Sequence, residues 1–173
     1  MKRIGWLILL CLPTLVHASQ SDVIGLWAGP TSIFEVAVVD GSLTGTVRAL
    51  LNPHYLPEEG TGKDGQIRSD DNNPDPSFRN RPLVGLSMFS EYRYDAGQWQ
   101  GKIYDPESGN TYQSRMSLNK KGELEVRGYV GLPMFGRTAT FVPVARCTET
   151  IRLMLEKIPE QPACEAPETE QKD

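Results

Sequence analysis

Punctuation constrains this chain more than any single motif. From Asp22 to Pro143, short runs rich in β-branched and aromatic residues alternate with turn formers, at intervals too short for helices. Residues 23–28, 33–39, 43–51, 83–94, 98–104, 111–118, 123–130 and 137–142 predict eight strands. Asp40-Gly41, Asp95-Ala96-Gly97 and the stretches 105–109 and 119–122 carry the residues that tight hairpins demand. Alternation is clearest in 123–130: Leu124, Val126, Gly128 and Val130 share one face, and Glu123, Glu125, Arg127 and Tyr129 the other. Such a meander predicts an all-β fold, a single small antiparallel β-barrel that removes exposed strand edges, with a two-sheet sandwich as the alternative.

The flanks read differently. Lys2 and Arg3, the apolar stretch 4–16 and Val16-His17-Ala18 have the order of a removable leader, so residues 1–18 are expected to be a signal peptide cut after Ala18. Residues 19–145 are expected to form the barrel domain. Thr148 is an N-cap candidate ahead of Ile151, Met154, Leu155 and Ile158 at helical spacing, which predicts a short helix within 146–158. Residues 159–173 are Pro- and Glu-rich and predict a mobile tail. No second long apolar run follows the leader, so no transmembrane segment is expected in the mature chain. Loss of Lys2 and Arg3 takes the formal charge from −4 to −6, a balance that argues against a nucleic-acid surface. The mature chain keeps Cys147 and Cys164, an even pair expected to form a disulfide in an oxidising compartment. The closed loop is worth about 3 kcal/mol on the chain-entropy estimate.

Chemistry concentrates in the long polar connection 52–82. Asp71, Asn73 and Asp75 have the alternate spacing of a calcium loop, but Pro76 and Pro82 stand where that loop needs its glycine and its glutamate, so no metal is assigned. Arg79 and Arg81 carry planar forks suited to an anion, although Asp70, Asp71 and Asp75 lie close enough in sequence to favour an internal network. His54 is the one histidine of the mature chain, and no Gly-x-Ser-x-Gly elbow is present, so no catalytic residue and no cofactor is assigned. Trp27, Phe34, Trp99, Tyr104, Tyr112, Phe135 and Phe141 fall on or beside expected strands, where they either fill a barrel or line a cavity in it.

Five stretches carry a family resemblance: GLW at 25–27, GSLTGTV at 41–47, NPDPSFRNRPLVGL at 73–86, GKIYDPESGNTY at 101–112 and LEVRGYVG at 124–131. In them the chain resembles the bacterial family called domain of unknown function 2147. The resemblance implies a periplasmic or secreted protein with a lipocalin-like barrel, and no established activity. Its motif positions here include Asn73, Asp75, Arg79, Tyr104, Asp105, Tyr112, Arg127 and Gly128. The candidate ligand-binding set is therefore Asp71, Asn73, Asp75, Arg79, Arg81, Trp99, Tyr104, Asp105, Tyr112 and Arg127. The leading expectation is an exported barrel that binds a small apolar or amphipathic molecule. The alternatives are an envelope enzyme, or a stress or assembly factor that contacts another envelope protein, through the loop at 70–82.

Overall fold

The computed structural model describes residues 21–159 and 164; the expected leader, and the expected tail apart from Pro159 and Cys164, lie outside them. The strands are β1 (Gly25–Ala28), β2 (Ser32–Val39), β3 (Ser42–Leu50), β4 (Phe89–Asp95), β5 (Gln98–Asp105), β6 (Asn110–Leu118), β7 (Leu124–Tyr129) and β8 (Arg137–Pro143), followed by helix α1 (Glu149–Leu155). They form one eight-stranded sheet in the order β3-β2-β1-β8-β7-β6-β5-β4, antiparallel at every pairing.

The segment before β4 nearly closes this sheet into a barrel. The Val47 and Met88 N–H groups donate to Leu86 O and Gly45 O, the Gly85 N–H to Val47 O, and the Tyr104 N–H to Met88 O, so residues 85–88 stitch β3 to β5. A strand was expected from 83; it starts instead at Phe89. Gly85 takes a left-handed φ of 91°, a conformation that interrupts an extended run before the strand proper begins. The single sheet also decides between the barrel and the sandwich.

Two apolar layers hold the barrel. Inside, Trp27, Phe34, Val36, Leu43, Phe89, Tyr92, Trp99, Met116, Leu124 and Val126 form one buried cluster. The Trp27 indole N–H is satisfied by Val23 O at 2.9 Å, and the Tyr92 hydroxyl donates to Ser114 Oγ at 2.7 Å. Gly45 makes room for this packing: a Cβ there would sit 2.3 Å from the Phe89 ring. Outside, Ile151, Met154, Leu155 and Ile158 cover Ala28, Ile33 and Ala49. The helix is capped as expected, with the Ile151 N–H donating to the Thr148 hydroxyl at 3.3 Å. Cys147 and Cys164 are joined as a disulfide, their Cα atoms 5.5 Å apart, which pins the chain beyond α1 to the start of the helical segment.

A bulge in β3 serves both layers. Phe34 faces Val47 while Ile33 faces Ala49, so Arg48 is the extra residue. Val47 thus joins the interior and Ala49 turns out to the helix. A second irregularity, between Ser90 and Arg93, places Glu91 at φ 58° and lets Phe89 and Tyr92, three positions apart, both point inward.

Candidate functional site

Strand direction puts the connections β1–β2, β3–β4, β5–β6 and β7–β8 at one end of the barrel and the tight hairpins β2–β3, β4–β5 and β6–β7 at the other. Most of the candidate residues come to the first of these ends, in two separate groups.

The first group is the core of the long β3–β4 connection, and its centre is Asp70, a carboxylate with no exposed surface. Its Oδ2 accepts from Asn73 Nδ2 at 2.7 Å, Arg81 Nε at 2.8 Å and Arg81 Nη2 at 2.7 Å; its Oδ1 accepts from the Tyr104 hydroxyl at 2.6 Å. The Arg81 guanidinium lies over the rings of Phe78 and Tyr104, 5.0 and 5.7 Å from their centroids. Burial pushes the Tyr104 phenol up from its ordinary value, and the bond to the Asp70 carboxylate pushes the same way against the smaller effects of Asn73 and Arg81.

The remaining loop residues complete a local knot. Arg79 Nε donates to Asn73 O at 2.8 Å, and the Asp75 N–H to Asn73 Oδ1 at 2.9 Å. Asp75 in turn caps the 3₁₀ turn Pro76–Phe78 by accepting from the Ser77 N–H at 2.9 Å, and that bond, with the Arg79 charge, holds its carboxyl below the usual range. Asp71 faces the other half of the connection, accepting from Tyr55 Oη at 2.5 Å, Ser69 Oγ at 2.7 Å and Lys63 Nζ at 2.7 Å. Burial alone would raise the Asp71 carboxyl; those three partners outweigh it and leave the group lowered. The knot docks on the β5–β6 turn, where Asn72 Nδ2 donates to Glu107 O at 2.8 Å and a Cβ on Gly109 would lie 1.9 Å from Asn72 O. Asp71, Asn73, Asp75, Arg79 and Arg81 are thus each engaged within the loop: Asp71 with Tyr55, Ser69 and Lys63, Asn73 and Arg81 with Asp70, and Asp75 and Arg79 with neighbouring backbone. Asp71 and Asp75 point to different partners, and among the described residues no group of three His, Cys, Asp or Glu side chains is placed to hold a metal ion.

The second group surrounds the barrel mouth. A cavity of about 380 Å³ opens inside the barrel against Phe34, Met88, Phe89, Ile103, Val126 and Phe141, with Asp105, Pro106 and Glu107 at its edge. A wider recess of about 530 Å³ lies against Asp105, Tyr112, Gly128, Tyr129, Val130, Phe135 and Arg137. The two share Asp105 and continue one another along the strands. Ile103 and Asp105, Val126 and Gly128, and Ala139 and Arg137 are successive same-face positions on β5, β7 and β8, about 7 Å apart. The chain therefore presents an apolar pit with a polar rim.

Of the sequence candidates, Asp105 and Tyr112 belong to this rim. Asp105 also caps its own turn, accepting from the Glu107 N–H at 3.0 Å and the Ser108 hydroxyl at 2.7 Å. Ser108 Oγ and the Tyr112 hydroxyl lie 3.2 Å apart. Arg127 is on the outer face, where it holds the β7–β8 loop by donating from Nε to Pro133 O at 2.7 Å, from Nη2 to Met134 O at 3.2 Å and from Nη1 to Thr138 Oγ1 at 2.8 Å. Trp99 packs in the interior cluster towards the opposite end, beside Tyr94 and Met116. The alternation expected for 123–130 fails at its last turn: Tyr129 is buried on the outer face beneath Gly136, and Val130 is 75% exposed.

Two rim residues escaped the sequence reading. Arg137 is in phase with Ala139 and Phe141, an alternation that marks it as inward-facing once β8 is placed. Phe135 was noted only as an aromatic near a strand; it stands 76% exposed on the loop that Arg127 fixes.

The comparisons with known proteins agree with this architecture. Protein HP1028 from the human pathogen Helicobacter pylori, described as belonging to the lipocalin family, superposes with a TM-score of 0.55 at 22% identity, over 70% of this chain and 82% of that one. At that identity the likeness establishes the fold alone. No curated protein matches the chain. The family described as an uncharacterized protein conserved in bacteria, domain of unknown function 2147, matches residues 25–142, and the chain belongs to it.

Proposed function

We propose that this protein is exported to the bacterial envelope or beyond and binds a small apolar or amphipathic molecule at the loop end of its barrel. The observation that carries the reading is the pit of about 380 Å³ walled by Phe34, Phe89, Ile103 and Phe141, whose polar groups stand only at its mouth. Its size falls within the range of small-molecule sites, and burial of apolar ligand surface there supplies the driving force. The knot around Asp70 acts as scaffold in this reading: it fixes the β3–β4 connection beside the mouth. Export is supported by the leader-like residues 1–18 and by the Cys147–Cys164 disulfide, which fits an oxidising compartment; among the described residues no helix is long and apolar enough to cross a membrane.

Ala139 lines the pit and carries little side chain of its own, so Ala139→Phe fills the space against Phe34, Val126 and Phe141 without removing any atom of the interior cluster. With a fluorescent apolar probe such as 1-anilinonaphthalene-8-sulfonate, the parent protein is expected to bind saturably and the variant to bind at least about tenfold more weakly at unchanged thermal stability. Equal binding by both would place the ligand elsewhere.

A further inference from the structure

The rim of the pit is chemically asymmetric, and Arg137 makes it so. Its Cα is paired with that of Gly128, and Gly128 offers no side chain to cover it. The Arg137 side chain makes no hydrogen bond or ion pair with another described residue. The acid that shares its recess is turned elsewhere: one Asp105 oxygen receives the Glu107 N–H and the other the Ser108 hydroxyl. An unpaired guanidinium therefore shares a recess with Tyr112, and the Arg137 Cα lies about 7 Å along β8 from that of Ala139 on the apolar wall.

From this juxtaposition we infer that the ligand is a chain-like amphiphile with an anionic head: its tail occupies the pit and its carboxylate or phosphate oxygens are held by the Arg137 fork. The inference rests on the reading of the pit as a ligand site and adds the chemistry of the head. An arginine fork suits such a head because two parallel N–H donors match two anionic oxygens. A neutral head would leave that charge to solvent and a cationic head would meet it with like charge; the Asp105 and Glu107 carboxylates at the pit edge repel an anionic head, which confines it to the Arg137 side of the rim.

The test compares three probes of one tail length, decanoate, decanol and decyltrimethylammonium, by titration calorimetry on the purified protein and on Arg137→Gln, with Arg48→Gln as a control at an outer-face arginine paired with Glu35. The parent protein and the control are expected to prefer decanoate over decanol by about tenfold, the worth of one charge-assisted bond at a partly exposed site. Arg137→Gln should abolish that preference while decanol affinity stays the same, and Arg137→Lys should restore part of it. A fourth probe, decyl phosphate, distinguishes the two heads: binding as tight as that of decanoate or tighter, with the same loss in Arg137→Gln, supports the inference and assigns the head to phosphate. Equal affinity for decanoate and decanol in the parent protein, an undiminished preference in Arg137→Gln, or tightest binding of the ammonium probe would each overturn the inference and leave the pit standing as a ligand site. Binding of none of the three would overturn both.

Discussion

Asp70 shows how much of this structure turns on single polar residues. A carboxylate without exposed surface is tolerated because two nitrogens of Arg81, one of Asn73 and the Tyr104 hydroxyl all donate to it. Asp70→Asn keeps the shape but loses the charge and presents a donor to donors. It should lower the unfolding free energy by about 2–3 kcal/mol, discounted for the partial exposure of Arg81, as read from urea denaturation. Tyr92 marks the alkaline limit. Burial pushes its phenol from 10.0 to about 12, against a smaller opposing effect of the bond to Ser114. A raised value in the folded state means that stability is intact below pH 10 and falls as the pH rises from there towards 12, because the unfolded chain ionises first. Tyr104 shifts the same way, so the loss in this window should be shallower, though not absent, in Tyr92→Phe, measured by denaturation at stepped pH.

The same residue scale explains what the sequence concealed. Arg81 was legible as an internal partner because three acids lie near it in the chain. Which acid it meets was not: Asp70 and Asp71 are adjacent, and the turn that aims one at Arg81 and the other at Tyr55 and Lys63 comes from contacts across the loop. Arg137 was hidden for the opposite reason, since its partnerless state depends on how Asp105 orients within its own hairpin.

At the scale of elements, hairpins declared themselves and bulges did not. Asp40-Gly41 and Asp95-Ala96-Gly97 fall at the ends of the strands they were expected to join. In β3, by contrast, Leu43, Gly45, Val47 and Ala49 alternate as though they shared one face, yet Arg48 shifts the register and sends Ala49 out to α1. Nothing local in the sequence announces that shift; the helix, recognised from Thr148 and its apolar spacing, is what requires it. A seven-residue helix has little stability of its own, so α1 depends on this outer contact. Met154 is its fully buried member, and Met154→Ala should cost about 2–4 kcal/mol in chemical denaturation; because α1 covers the outer face of the strands whose inner face lines the pit, probe binding is expected to persist in the folded variant.

For the whole molecule, the eight-stranded meander nearly closed by residues 85–88 has two unlike ends. One end is sealed by short hairpins and by Trp99, Tyr94 and Met116; the other carries the longer connections and the pit. The barrel was legible because eight runs and their turns leave few ways to satisfy every strand edge. Its hollow was not, since whether Phe34, Phe89 and Phe141 meet across the interior or stand apart depends on ring orientations that only the folded packing fixes. Phe34 meets Phe89 and Phe141 edge-on, at centroid distances of 5.8 and 4.8 Å, and the space beside those rings is the pit.

The central claim, that the pit holds a small molecule in the cell, is tested most directly by native mass spectrometry of the protein purified from its own bacterium, repeated after extraction with organic solvent. The account predicts a polypeptide lacking residues 1–18, carrying a reproducible extra mass that solvent removes and that Ala139→Phe never acquires. A bare polypeptide before and after extraction, or an adduct retained in full by Ala139→Phe, would contradict it.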